Sequence, residues 1–156
     1  MSTFHTGKRT GKHWNNLQKA KDIIEKLSLD IRAVDERKFE DRISGALQPN
    51  FEDFIDQRNI QQVMTRVTLF GHDHRPDMSI DIDGIAIEVK TAKSGQSFRE
   101  AIGQSMIYRM GYRFVLVVWV DYTKDKMYKT QCSIKDSDED KFIKQLEENN
   151  IFCIIK

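Results

Sequence analysis

The chain has 156 residues, of which 39% are apolar and 31% charged, and its formal net charge is +1. That length suits one domain, and the composition leaves enough Val, Ile, Leu and Phe for a core beneath a large polar surface. A strongly basic overall field is excluded, so attraction to nucleic acid has to come from local clusters of charge.

Residues 1–15 combine Lys8, Arg9 and Lys12 with Gly, Thr and His and show no periodicity. They read as a basic flexible arm, either a solvated tail or a nucleic-acid contact. The arm lacks the apolar stretch of a secretion signal, which leaves the cytoplasm as the expected location. Residues 16–156 follow as the folded domain. Leu17, Ala20, Ile23, Ile24 and Leu27 recur at helical spacing, as do Phe39, Ile43, Ala46 and Leu47 behind a cap at Asp35. From Gln62 the period falls to two: Val63, Thr65, Val67 and Leu69 share a parity and predict a strand ending near Gly71. Residues 78–82 and 85–90 continue as strands, and Asp83-Gly84 predicts a tight hairpin turn between them.

Ser97 to Glu100 has the form of a capping box, and Phe98, Ala101, Ile102, Ser105, Met106 and Met110 trace one stripe, so a helix is predicted to about Gly111. Residues 114–120 are continuously apolar, as in a strand covered on both faces, and far short of the ~20 residues needed to cross a membrane. A helix over residues 139–149 and a strand over residues 151–155 complete the order ααβββαβαβ, an α/β fold. Cys132 and Cys153 have no CxxC partner and read as reduced, packed thiols, with no disulfide and no iron–sulfur centre expected.

On the strand over residues 85–90, Ile85, Ile87 and Val89 face one way and Ala86, Glu88 and Lys90 the other. Glu88 and Lys90 then have Cβ atoms roughly 6.6 Å apart, close enough to share one site. Pro76 fixes an extended approach that aims Asp77 from the start of one strand toward Glu88 on the next. Two carboxylates and a lysine suit phosphodiester hydrolysis, because hard oxygens hold Mg²⁺ and the cation activates water. For a Glu-x-Lys pair by itself, a surface salt bridge is the alternative. Asp81 lies about 13 Å further along an extended strand than Asp77, so Asp81 and Asp83 fall near the hairpin end, outside the site. His72-Asp73-His74 reads as a polar turn.

Pro76-Asp77, ten residues, then Glu88-Val89-Lys90 resembles the metal site of the PD-(D/E)XK nuclease superfamily. The predicted order over residues 35–120 is similar to its αβββαβ core, and Gln104 with Tyr108 is similar to the QxxxY motif of its RecB-like branch. The resemblance implies a single-domain, restriction-endonuclease-like α/β fold with a mixed central sheet flanked by helices. It implies that Asp77 and Glu88 ligate Mg²⁺, for which Mn²⁺ substitutes, that Val89 offers its backbone carbonyl, and that Lys90 is catalytic. Gln104 would hold the site or the nucleic-acid backbone. Glu40 is the candidate for the glutamate that many members carry on the first core helix, with Glu36 and Glu52 as neighbours; a purely solubilising role is the alternative for each.

Lys93, Arg99 and Tyr108 join Lys8, Arg9 and Lys12 as candidate nucleic-acid contacts, and Arg109 and Arg113 add to the basic excess after Glu88. A solvated helix face is the alternative for that excess. Trp14 and Tyr112 are further possible contacts. The implied activity is a Mg²⁺-dependent nuclease that acts on DNA in preference to RNA and leaves a 5′-phosphate and a 3′-hydroxyl. A homodimer would serve cleavage of two strands. A nucleic-acid-binding or protein-interaction module without turnover, or an RNA-directed nuclease, is the alternative.

Overall fold

The apolar repeats of the first third fold as two helices, α1 (Gly11–Lys26) and α2 (Glu36–Leu47), in a computed structural model that describes residues 6–29, 35–59 and 64–156. Leu17, Ala20 and Ile24 of α1 are buried with Phe39, Ile43 and Leu47 of α2. Each large side chain so buried contributes about 1.5–3 kcal/mol relative to exposure. Asp35 caps α2 as expected, accepting the Arg37 N–H at 3.0 Å. Helix α1 begins inside the stretch read as an arm. Its first turn is polar in sequence, but Trp14 anchors it by packing on Phe114 and Phe152.

The chain then forms β1 (Phe54–Asp56), a hairpin of β2 (Val67–Leu69) and β3 (His72–His74), and the pair β4 (Met78–Ile80) and β5 (Ile85–Ala92). Helix α3 (Gly95–Tyr108) leads to β6 (Phe114–Asp121), and α4 (Met127–Ser133) and α5 (Asp138–Glu148) lead to β7 (Ile151–Ile155). The central sheet has the order β1-β4-β5-β6-β7, antiparallel up to β5 and parallel from β5 to β7. Parallel neighbours need a crossover, and α3 and the α4–α5 pair supply the two. Ile85, Ile87 and Val89 join the α1–α2 core on one face, while Ala86, Val115 and Val117 pack with Ala101 of α3 and Leu146 of α5 on the other. The result is one mixed α/β domain. Among the described residues no helix is long and apolar enough to cross a membrane.

Several sequence expectations change. The strand predicted from Gln62 is not in the central sheet: Val67–Leu69 pairs only with His72–His74, as a separate two-stranded hairpin, and residues 62 and 63 lie outside the described residues. The first strand of the sheet is β1, whose three residues are too few to show an alternation. The β4–β5 connection is a four-residue loop with Asp81 at φ 68°, not a two-residue turn on Asp83-Gly84. Gly84 is required there by close approach, since a Cβ would lie 2.5 Å from the Ile80 carbonyl oxygen and 2.7 Å from His13 Nδ1. The cap of α3 is Ser94, which accepts the Ser97 N–H at 3.4 Å, three residues ahead of the capping box read from sequence.

Helix α4 escaped prediction because it has seven residues and none of them is buried, so it carries no apolar period. The predicted two-residue turn belongs instead to β2–β3, where Leu69 pairs with His72 across Phe70 and Gly71, both at positive φ (52° and 78°). Glycine adopts that backbone freely; phenylalanine does so at a cost of about 1–2 kcal/mol. Cys132 and Cys153 are free thiols, and burial pushes Cys153 up to about 12.

Candidate metal centre

The antiparallel register Met78↔Ile87 carries on to set Asp77 opposite Glu88, and each carboxylate grips the other strand. Asp77 Oδ2 accepts the Val89 N–H at 2.8 Å, and Glu88 Oε2 accepts the Asp77 N–H at 3.3 Å. Lys90, two residues beyond Glu88 on the same face, places Nζ 3.6 Å from Glu88 Oε1. Glu88 is only 3% exposed. The Tyr108 hydroxyl lies 3.2 Å from Glu88 Oε2 and 3.0 Å from the Arg75 carbonyl oxygen, with one proton to share between them. The Gln57 N–H donates to the Asp77 carbonyl at 3.0 Å, so β1 also braces the site.

Helix α2 brings two more acids. Glu36, its first residue, accepts from the Thr91 N–H at 3.0 Å and the Thr91 hydroxyl at 3.2 Å, which ties the helix N-terminus to the end of β5. Glu40 lies one turn further on the same helix face. Burial first, then the charges of Asp77 and Glu36, push its carboxyl up to about 7. Glu52 is exposed.

Glu36, Asp77 and Glu88 thus share the Lys90 ammonium group, and Glu40 adds a fourth acid that feels Asp77 and Glu36. Burial raises the Asp77 pKa against the opposing pull of the Val89 N–H and Lys90, and burial together with Asp77 raises Glu88 against Lys90. Burial works against the charge of Lys90, but Glu88, Glu36 and Asp77 more than offset it and hold the group protonated. Arg58 tempers Asp77 and Glu40 from a distance, yet its guanidinium is bound to Asp56 and Asp41. Hard oxygen donors with an uncompensated negative charge fit a divalent cation such as Mg²⁺ or Mn²⁺. No three of the four acids bring one oxygen each within 4.8 Å of one another. Mg²⁺ does not demand it, since it keeps several waters and uses one or two carboxylates together with phosphate oxygens.

Gln104, with Gln57, Asp73, His74, Arg75 and Tyr108, lines a cavity of about 330 Å³ beside this centre, and its Oε1 is buried without a hydrogen-bond partner among the described residues. Tyr108, expected as a nucleic-acid contact, is 2% exposed and instead fixes Glu88 from inside the fold. Val89 turns its side chain into the core and its N–H to Asp77. Lys93 and Arg99 are exposed, with Lys93 Nζ 5.6 Å from the centre of the Tyr122 ring.

The arm's cations lie elsewhere. Arg9 donates to the Glu147 carbonyl, and its Nε lies 3.4 Å from Asn150 Oδ1; Lys12 bonds Asp53 at 3.0 Å and faces Asp81 at 3.6 Å. Asn150 precedes β7 and Asp81 follows β4, so Arg9 and Lys12 sit at the opposite end of the sheet from Lys90; Lys8 is exposed. Arg109 is spent on the carbonyls of Tyr112, Arg113 and Asn149, Tyr112 is buried with its hydroxyl on the Thr65 carbonyl at 2.7 Å, and Trp14 packs in the aromatic core. Arg109 and Tyr112 are thus buried, while Trp14 is half-buried against that core.

At that opposite end lies a group that sequence reasoning did not assemble. His13, Asp81 and Asp83 place one ligand atom each within 4.8 Å of one another. The Asp-x-Asp spacing was visible, but nothing in the sequence brings His13, on another element, to it. Comparison with protein-family models, with curated proteins and with solved structures finds no match to this chain.

Proposed function

We propose that this protein is a divalent-metal-dependent nuclease with a PD-(D/E)XK-type centre, acting on the phosphodiester backbone of DNA. What carries the reading is the pairing of half-buried Asp77 with buried Glu88 on neighbouring antiparallel strands, with Lys90 beside them and too little positive charge around them. The order α2-β1-β4-β5-α3-β6 supports a restriction-endonuclease-like αβββαβ core, with the β2–β3 hairpin inserted between its first two strands.

Asp77 and Glu88 would hold the cation, with Glu40 and Glu36 contributing negative charge from α2. A bound Mg²⁺ supplies Lewis-acid stabilisation of the charge that develops on phosphate oxygens. The Val89 N–H and the Tyr108 hydroxyl keep the two carboxylates in place, so little reorganisation is needed on binding. Lys90 stands where an ammonium can orient a water for attack on phosphorus or donate to a non-bridging oxygen as charge builds there. Bond formation from that water breaks a P–O bond of the backbone and releases a phosphate monoester and a hydroxyl end.

Incubation with plasmid, linear, single-stranded and branched DNA, and with RNA, in Mg²⁺, Mn²⁺ or EDTA tests the proposal. Metal-dependent cleavage of DNA is expected. Binding without cutting in any metal would reject the enzyme in favour of a module that keeps the fold, and cleavage of RNA alone would reassign the substrate.

A further inference from the structure

The most exposed large apolar side chain among the described residues is Phe70, at 92%. It is also in the left-handed backbone region, at the first central position of a two-residue hairpin turn that favours Asn, Asp or Gly. Exposure and backbone conformation both count against phenylalanine there, and no ring contact with another described residue offsets either. An outlier of this kind points to a function at the tip of the hairpin.

The rest of the hairpin is built to hold that tip out. At its base Val67 is buried, with its Cγ2 against Gly111, and the Thr65 carbonyl accepts the Tyr112 hydroxyl. The Arg75 carbonyl accepts from Gln57 Nε2 at 3.2 Å and lies 3.0 Å from the Tyr108 hydroxyl, the same hydroxyl that reaches Glu88. Asp73 is bound by Arg66 at 3.1 Å and Thr68 at 2.6 Å, and the exposed Arg75 guanidinium feels the Asp73 charge without forming a salt bridge among the described residues. The hairpin thus presents an aromatic ring at its tip and an exposed cation near its base, beside the metal centre. Asp77 lies seven steps along the chain from Phe70, a reach of at most about 23 Å in extended chain, or roughly seven stacked nucleotides at about 3.4 Å each.

We propose that the β2–β3 hairpin is a nucleic-acid contact in which Phe70 stacks on an unpaired base a few nucleotides from the phosphate held at Asp77 and Glu88. This rests on the nuclease reading above. A ring on a projecting turn meets bases only where they are unstacked or can be wedged apart, so the favoured substrate is DNA with a single-stranded arm or a frayed end. Arg75 meets the backbone between the stacked base and the centre.

The test measures binding of the full chain in Ca²⁺, and cleavage in Mg²⁺, on forked DNA with 2-aminopurine in the single-stranded arm and on a blunt duplex of the same sequence. Phe70→Ala and Phe70→Asn are compared with wild type and Phe70→Trp. The asparagine variant suits the left-handed backbone, so a loss there is not a folding defect. Both ring-less variants should lose roughly tenfold in affinity for the fork, change by less than about twofold on the blunt duplex, and abolish the 2-aminopurine signal, with Phe70→Trp restoring both. Equal fork binding by wild type and Phe70→Asn overturns the hairpin proposal, and it leaves the nuclease reading intact if metal-dependent cutting persists. A wild-type protein that neither binds nor cuts any nucleic acid removes both. A Phe70 substitution that alters only self-association, seen by sedimentation, assigns the tip to a protein partner and overturns the proposal.

Discussion

At the start of β5, Asp53, Asp81 and Asp83 each have a cation to hand: Lys12 lies 3.0 Å from Asp53 and 3.6 Å from Asp81, and Arg113 lies 3.4 Å from Asp83. Five residues along the same strand, Glu36, Asp77 and Glu88 gather around Lys90 with Glu40 beside Asp77 and Glu36, and three of these four acids have carboxyl pKa values pushed upward. Both regions would be called acidic from a count of carboxylates. What separates them is burial and the supply of compensating charge. The first region is closed electrostatically within the chain, and the N-terminus of α1, which begins at Gly11, adds a further positive end beside His13. The second is left short of positive charge, a shortage that a divalent cation would remove.

The sharpest way to break this contrast is to neutralise each region in turn. Asp77→Asn or Glu88→Gln should take metal-dependent cleavage below detection, and Lys90→Ala should lower the rate constant by about 10²–10³-fold, as removal of a preorganised donor does. Asp81→Asn and Asp83→Asn should stay within about twofold of wild type. Circular dichroism melts separate lost chemistry from lost fold. Full activity in Asp77→Asn would dissolve the distinction between the two ends.

A smaller effect is expected one step out from the carboxylates. Tyr108→Phe removes only the hydroxyl that reaches Glu88 Oε2. Outer-shell partners of this sort change metal affinity by about 10–100-fold. The Mn²⁺ concentration for half-maximal cleavage should rise by about tenfold while the rate at saturating Mn²⁺ stays within a few-fold. An unchanged Mn²⁺ dependence would make Tyr108 a packing residue.

Without metal the same shortage of charge should appear as a pH dependence of stability. Glu40, Asp77 and Glu88 have folded-state pKa values above those of the unfolded chain. Between about pH 4.5 and about 8 the folded protein therefore holds more protons than the unfolded one, and stability falls as pH rises through that window. Asp56 and Asp121 are shifted the other way, against the pull of their own burial, by hydrogen bonds from Arg58 and Thr123, and they act only as pH drops below about 4. With allowance for the solvent exposure of Glu40, about 1–2 kcal/mol is lost, so the melting temperature in EDTA should be about 5 °C lower at pH 8 than at pH 5.5. Excess Mn²⁺ at pH 8 should recover it. A melting temperature that does not fall with pH in EDTA would show that the cluster is compensated without metal.

The geometry of this centre was legible because it lies on regular structure: a strand of period two fixes Glu88 and Lys90 on one face, and Pro76 commits Asp77 to the neighbouring strand. Helix α2 was readable for the same reason, with its cap at Asp35 and its stripe of Phe39, Ile43 and Leu47. The errors fall where pattern is too short to exist or where two patterns compete. β1 has three residues, so the alternation of Val67 and Leu69 was taken for the first strand of the sheet although it serves a hairpin. Tyr108 looked like part of a polar helix edge because its i to i+4 partner is Gln104, but the space under Arg75 takes the ring inside. The basic N-terminal residues read as a cluster in sequence, whereas Lys12 and Arg9 are dispersed onto Asp53, Asp81, Asn150 and Glu147, partners no local pattern supplies.

The smallest expected effect tests the paired end directly. His13, Asp81 and Asp83 have ligand atoms close enough together for a metal ion, and geometry alone makes them look better gathered than Asp77 and Glu88. Electrostatics argues the reverse. Lys12 and Arg113 already occupy the two aspartates, and His13 stands in the first turn of α1, where the helix dipole repels a cation. The ion would have to displace two cations that cost nothing to keep. His13→Ala should therefore leave the Mn²⁺-induced rise in melting temperature and the Mn²⁺ dependence of cleavage unchanged, while Glu88→Gln removes both. A loss of the Mn²⁺ response in His13→Ala, with Glu88→Gln responding as wild type, would move the metal to the other end of the sheet and show that proximity of ligands outweighs the charge around them.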